Sequence, residues 1–499
     1  MKYVIGLDAG TTCFKVGLYN EKLETVAQAS EEYSLYYPGD GLVEYNADQY
    51  WQCFCRLIKA VVQKGEIDPS EVCSVAVSSQ GETMIFLDEN GNSLRNAIVW
   101  TDTRANKQKE ELYQKYTDTE IFEVTGQREI TSAWPAVKWM WLRENEPEIA
   151  SKTKHVLLLG DYIVYRLTGK FASDKSLSSS TIYMDIRNGT WWDKMLADIG
   201  LEEELLPQLY ECGTYIAHIQ ERAANETGLM TIASVCAGAL DQAAGMIGSG
   251  NITEGIISET TGTCLAVCTN IGSKRVPFEK GKLPIHYGFS KNSYYAIYWS
   301  GAAGSILRWA AQNFYSDIKD STLYKQMDRE ASNIAPGANG LILMPYLSGM
   351  NYPYADEKAT GIFFGVNLCH SRAHFVRAIL EAVSFLLCQS VDEIRAYGID
   401  VKKIYSLGGG ASSELWCKIK ADMTGCEIVV PKRDEVTCLG AAILAAVGAG
   451  LYSTLEEAVM ASSDRQTLYV PQYQKEYSDI CNSYKKKADD YYIKNRQVV

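Results

Sequence analysis

No stretch of lysines and arginines stands out along the 499 residues, and the formal net charge is −13. A protein that grips nucleic acid along its phosphates needs the opposite balance, so nucleic acid is excluded as the main partner. The one short cluster, Lys485–Lys487, lies in an acidic, Tyr-rich segment and reads as a solvated helix face. Long apolar runs are missing too. The longest, LGAAILAAVGAGL from Leu439, is too short to span a bilayer and reads as a buried, tightly packed helix. No basic segment followed by an apolar stretch and a cleavage site opens the sequence. That predicts a cytoplasmic protein with neither signal peptide nor membrane partner. The 14 cysteines include no CxxC pair, so free thiols of a reducing compartment are expected. His370 and His374 have the i, i+4 spacing of a zinc pair, but no third ligand follows at a recognisable spacing. The phosphate-binding GxxxxGK[ST] and a dinucleotide GxGxxG are both absent, so any nucleotide must be held by another design.

What remains is an ordinary globular composition, 46% hydrophobic and 22% charged, on a chain long enough for two large domains. It opens with VIGLDAGTTCFKVGLYN, an apolar run, a Gly10-Thr11-Thr12 tip and a second apolar run, which predicts a strand hairpin. Strand and helix patterns then alternate. VCSVAVSSQG and NAIVWTDTR read as strands that end in polar loops, and PAVKWMWLREN as a helix with Pro135 in its first turn. TIASVCAGALDQAAGMIGSG reads as a strand, a glycine turn and a helix. Near residue 250 the opening pattern returns as EGIISETTGTCLAVCTN, with Gly262-Thr263-Cys264 at its tip. Two such hairpins facing each other would hold a polyphosphate from both sides through amides and hydroxyls. Asp8 has no acidic counterpart in the second hairpin, where Thr260 falls, which suits one Mg²⁺ anchored on one side through its waters. Toward the end, IYSLGGGASSELWCKIKADMTG reads as a strand, three glycines and a helix.

In this order the segments resemble the FGGY family of carbohydrate kinases, in the actin/hexokinase/Hsp70 ATPase superfamily, from Tyr3 to Leu451. GLDAGTTCFK is similar to the first phosphate hairpin, ETTGTC to the second and LGGGASSELWCKIKAD to the adenosine segment. GIFFGVNLCHSRAHFVRAILE fits the C-terminal signature, and AWPAVKWMWLREN nearly fits the N-terminal one, with Ala133 at its first position. The resemblance implies an α/β fold of two duplicated ribonuclease H-like domains, 1–249 and 250–499, with a cleft between them. It also implies ATP and Mg²⁺ as cofactors, a small sugar or polyol as substrate, and the homodimer common among members.

Roles follow residue by residue. Asp241 is the candidate general base, with helix capping as its plainer reading. Asp8 positions Mg²⁺, or satisfies amides in its turn. Gly10, Thr11, Thr12, Gly262 and Thr263 cradle the phosphates, with Lys15 as a nearby charge or an exposed strand residue. Gly304 lets backbone approach the phosphates, and Gly409, Gly410, Ala411 and Glu414 line the adenosine pocket. Gln80, Gly81, Glu82, Trp100, Asp102 and Gln242 form the sugar side, and Trp134 is either a second wall or core. LLLGDYIVYRLTGKFASDKSLSSSTIYMDI and LMPYLSGMNYPYADEKATGIFFGV are similar to the xylulokinase branch, whose substrate is D-xylulose. Gln80-Gly81-Glu82-Thr83 and Gly349-Met350-Asn351-Tyr352-Pro353 depart from that branch, and Glu82, Thr83 and Gln242 match glycerol kinases. Other members of the superfamily are conformational ATPases, but the FGGY signatures belong to its small-molecule branch, and Asp8 and Asp241 argue against a silent sensor.

Overall fold

The computed structural model describes residues 2–318, 321–350, 356, 358–432, 435–462 and 466–496. Asn351, Tyr352 and Pro353, part of the departure noted above, lie outside the described residues. The opening apolar run forms β1 (Tyr3–Ala9), which pairs antiparallel with β2 (Cys13–Asn20) around the Gly10–Thr12 tip. Val4, Ile5, Leu7, Val16 and Leu18 are buried, which is why both arms read as apolar. A third antiparallel strand, β3 (Thr25–Glu32), follows. β4 (Val72–Ser79) then lies parallel to β1, and β5 (Tyr215–His218) and β6 (Ser234–Leu240) complete the sheet in the order β5-β6-β4-β1-β2-β3.

β6 passes directly into helix α2 (Asp241–Ser249), after α1 (Pro135–Asn145) earlier in the chain. The sequence predicts a glycine turn at this junction, and the structure has none. Gly238 lies inside β6, where a Cβ would fall 1.7 Å from the Val77 carbonyl oxygen of β4, so the glycine serves close strand packing. NAIVWTDTR is likewise shorter as a strand than expected. Only Ala97–Ile98 pairs, in a small side sheet with Met84–Leu87, and Trp100 sits in the turn beyond.

The second half repeats the plan. β7 (Ile256–Thr261) and β8 (Leu265–Gly272) form the second hairpin, followed by β9 (Ile285–Tyr287), β10 (Tyr294–Ser300), β11 (Lys403–Leu407), β12 (Glu427–Pro431) and β13 (Gln466–Tyr469). Their order is β9-β10-β8-β7-β11-β12-β13, with β7 antiparallel to β8 and parallel to β11. Both sheets therefore share one core, a meander of three antiparallel strands whose first strand is continued on its other edge by two successive parallel strands. That is the ribonuclease H-like topology, used twice.

The later helices are α3 (Arg372–Ala396), α4 (Glu414–Thr424), α5 (Val436–Gly448) and α6 (Gln474–Arg496). The Ala- and Gly-rich α5 packs on β1, β4 and α2 of the first half, so the halves interlock. Gly440 makes this possible, because a Cβ there would stand 1.9 Å from the Ala244 carbonyl oxygen of α2. By length and composition α3 is long and apolar enough to cross a membrane, a feature the sequence reading passes over, but 89% of its most apolar window is buried inside the protein. α6 lays Tyr477, Cys481, Tyr484, Ala488 and Tyr491 inward at helical spacing and keeps Lys485 outside, 2.7 Å from Asp392.

Candidate active site

The carboxyl ends of neighbouring parallel strands meet at a cleft, the place where open α/β sheets bind ligands. From the first half come Asp8 at the end of β1, Gln80 just past β4 and Asp241 just past β6. From the second come Thr260 of β7, Leu407 and Gly408 at the end of β11, and Pro431 of β12. Two cavities open here, one of about 440 Å³ and one of about 600 Å³, and Asp241, Gln242 and Ala266 line both.

The smaller cavity is walled by Thr11, Gln80, Gly81, Glu82 and Trp100, and Trp134 joins them as a second aromatic wall. The Gln80 side chain is buried at 3% exposure beside the Tyr50 hydroxyl, with amide capacity left for a ligand. Glu82 stands in a left-handed conformation, φ 56°, with the Thr83 N–H donating back to the Gly81 carbonyl at 2.7 Å. Such a tight three-residue turn costs about 1–3 kcal/mol of strain and aims the Glu82 side chain. Asp102 stands apart. It is fully buried and outside the cavity walls, and its carboxylate accepts from the Val43 N–H at 2.6 Å and from Arg104 Nε and Nη2 at 2.8 Å each.

Lining residues that the sequence reading passes over are Gln127, Arg128, His286 and Trp299. His286 comes from β9 of the second half, its Nδ1 lying 3.2 Å from Ser179 Oγ. Burial pulls its pKa down to about 4, so the ring is neutral. No motif marks it, because it reaches the cavity only once the second sheet has folded.

The larger cavity holds Asp8, Gly10, Lys15 and Asp241, with Gly408, Ala411 and Ser412 opposite. Lys15 faces Asp8 across the hairpin and pairs with Glu435 at the start of α5, 2.7 Å away. Burial opposes the Lys15 charge, yet the Glu435 carboxylate carries its pKa above the ordinary lysine value. The two tips share a closure, with the Gly10 N–H donating to Cys13 O at 3.2 Å and the Gly262 N–H to Cys264 O at 3.0 Å. Thr12 and Thr263 are exposed at these tips, and the Gly304 N–H donates to the Gly262 carbonyl at 2.9 Å. Gly409 is exposed and Gly410 buried, while Glu414 points to solvent and pairs with Lys418 at 2.6 Å.

Three acids share this cleft, and enclosure shapes all of them. Burial, and then the Asp241 carboxylate, push Asp8 up to about 7, with Lys15 opposing. Burial pushes Asp241 up to about 7 as well, against the Gln242 N–H donating to it at 2.6 Å and reinforced by Glu82. Glu82 reaches about 7 through burial, with the Ser180 hydroxyl and Lys138 acting against it. His370 and His374 serve locally, with His374 Nδ1 accepting from the Ser371 N–H at 3.1 Å. Among the described residues no group of three or more His, Cys, Asp or Glu is arranged to hold a metal ion.

Comparisons with known proteins accord with this architecture. The model of the FGGY family of carbohydrate kinases, N-terminal domain, matches residues 3–248, and that of the C-terminal domain matches residues 257–449. Xylulose kinase of Bacillus subtilis (strain 168) is 30% identical over 487 residues, 97% of this chain and 96% of that relative. Glycerol kinase of Thermococcus gammatolerans is 28% identical over 464 residues, 91% of each chain. Among solved structures, ligand-bound xylulose kinase from Lactobacillus acidophilus superposes with a TM-score of 0.88 at 25% identity, covering 98% of this chain and 99% of that one.

Proposed function

We propose that this chain, which belongs to the FGGY family of carbohydrate kinases and is a sugar kinase, phosphorylates a ketopentose, with D-xylulose converted to D-xylulose 5-phosphate. The observation that carries the reading is the Asp241 carboxylate, which lines both cavities. A sugar hydroxyl in the smaller cavity would meet a phosphate in the larger one beside that carboxylate. Asp241 takes the hydroxyl proton, the freed oxygen bonds to the γ-phosphorus of ATP, and the β–γ bridging oxygen leaves with ADP. Standing first in α2, Asp241 feels the positive end of the helix, which favours the ionised form that accepts a proton. Gln80, Gly81, Glu82, Trp100 and Gln242 orient the sugar, and buried polar groups of this kind reject a substrate lacking their partner hydroxyl. The amides and hydroxyls of Thr11, Thr12, Gly262 and Thr263, joined by Lys15, hold the phosphates. The Gly409–Ala411 turn takes the adenosine. In this assignment residues 1–249 supply the base, the first phosphate hairpin and most polar groups of the sugar site, and 250–499 the second phosphate hairpin, the adenosine side and the His286 and Trp299 wall of the smaller cavity.

Asp8 fits the role of an anchor for Mg²⁺. Asp8 and Asp241 line one cavity, and the Asp241 carboxylate adds to the cost of ionising Asp8, a strain that a divalent cation would relieve. Asp8 is the residue that would hold the ion, through its waters. When bound, Mg²⁺ offsets the charge that develops on the phosphates.

A second reading, a kinase of glycerol, erythritol or a related polyol, is favoured by Glu82, which lines the smaller cavity. ADP release from Mg-ATP against D-xylulose, L-xylulose, D-ribulose, glycerol, erythritol and D-gluconate separates the two. D-xylulose is expected to give the largest saturable response, and a preference for glycerol or erythritol would put the second reading in its place.

The pH profile is a further expectation. Asp241 must be ionised to accept a proton, and enclosure raises its pKa to about 7. kcat/KM is therefore expected to be level above pH 8 and to fall about tenfold per unit below pH 6. Because Asp8, Glu82 and Asp241 interact, the apparent value belongs to the set. A profile flat down to pH 5 would remove Asp241 from the role.

A further inference from the structure

Trp100 makes three hydrogen bonds, and each leads to a different part of the site. Its backbone N–H donates to Thr83 Oγ1 at 3.2 Å, and its carbonyl accepts from Lys138 Nζ at 3.2 Å. Its indole Nε1–H donates to Thr11 Oγ1 at 2.9 Å. Lys138, on α1, also donates to the Val99 carbonyl at 2.9 Å and is fully buried. It forms no ion pair among the described residues, and the nearby Asp102 carboxylate is committed to Arg104. Burying an ammonium in this way is costly. An apolar side chain would avoid that cost but leave the Trp100 carbonyl without its donor and the Val99 carbonyl with the Asp102 N–H alone, at 3.0 Å, so what the lysine secures is the path of the Val99–Trp100 backbone. Any aromatic ring would serve as a cavity wall. Only an indole N–H reaches Thr11, the residue at the first hairpin tip that lines the same cavity.

We propose that Lys138 and Trp100 are positioning residues that tie the wall of the smaller cavity to the first phosphate turn, so that contact with the indole face is felt by the nucleotide through Thr11. This rests on the cavity assignments of the proposed function. The test is a binding cycle that needs no sugar, with calorimetric affinity for Mg²⁺ and AMP-PNP, a non-hydrolysable ATP analogue. The chains compared are the unmodified protein, Trp100→Phe, Thr11→Val and the double variant. Each single change is expected to weaken binding about 3- to 10-fold, and the double change by no more than the larger single effect, because both remove the same bond. Lys138→Met should match Trp100→Phe. If it does not fold, the Trp100–Thr11 pair decides alone. Unchanged affinity in Trp100→Phe, or losses that multiply in the double variant, would overturn the relay. In turnover, Trp100→Phe should raise KM for ATP while KM for the sugar stays within about twofold, and the reverse split would also overturn it. An unmodified protein that turns over no sugar in the panel defeats the substrate reading instead, and the binding cycle still decides the relay.

Discussion

Asp241→Asn is expected to lower kcat by about 10²- to 10⁴-fold, the range of a positioned general base, while binding of Mg²⁺ and AMP-PNP survives. Asparagine keeps the shape and the hydrogen bond from the Gln242 N–H but has no lone pair basic enough to take the hydroxyl proton. The electrostatics sharpen the expectation. The Asp241 carboxylate is the second largest reason, after burial, why Asp8 is pushed up to about 7. Neutralising it should let Asp8 ionise more readily, so affinity for the Mg-nucleotide should hold or rise while turnover collapses. A purely capping Asp241 predicts the opposite pattern, with near-normal turnover and a modest loss of stability, and that result would end its assignment as the base.

The parts legible in the sequence are those written in neighbouring residues. The alternation of Val4, Ile5 and Leu7 around Gly10, and its echo around Gly262, announces two hairpins because strand burial and turn chemistry are local. The position of Asp241 at a strand-to-helix junction is local too. What is hidden depends on contacts between distant segments. Asp102 has the right chemistry for a sugar site, yet Arg104 and the Val43 N–H take up its carboxylate. Glu82 owes its direction to a left-handed turn whose positive φ falls on Glu82 itself and not on the neighbouring Gly81, where the sequence would place it. His286 and Gln127 become cavity walls only when β9 meets the loop at Gly126, where the Ile285 N–H donates to the Gly126 carbonyl at 2.8 Å. The interlock of α5 with the first sheet has the same origin, since a thirteen-residue apolar helix does not say which sheet it will cover.

The largest stability effect is expected where two of the quoted segments meet, ETTGTC through its Glu259 and LGGGASSELWCKIKAD through its Lys420. Lys420 of α4 and Glu259 of β7 are both fully buried, with Nζ 2.5 Å from the carboxylate. Glu259 also accepts from the Ser406 hydroxyl and from Thr261 Oγ1 at 2.6 Å, and Lys420 Nζ reaches Thr261 Oγ1 at 3.0 Å. Every strong donor and acceptor in this knot is matched, so removing one strands another in an apolar interior. Lys420→Met is expected to destabilise the protein by about 3–5 kcal/mol in chemical denaturation, because it leaves the Glu259 charge unpaired. Lys420→Met combined with Glu259→Leu should recover most of that loss, since the pair itself contributes little beyond its own desolvation. A single-variant loss below about 1 kcal/mol would mean that water takes the place of Lys420 on the carboxylate. The knot bears on function through Thr261, which directly precedes Gly262 and Thr263 and packs against Gly408 and Gly410. In the double variant, stable but without these anchors, KM for ATP should rise while KM for the sugar stays level. That split separates the positioning of the second hairpin from mere folding, because a globally loosened protein would lose both affinities together.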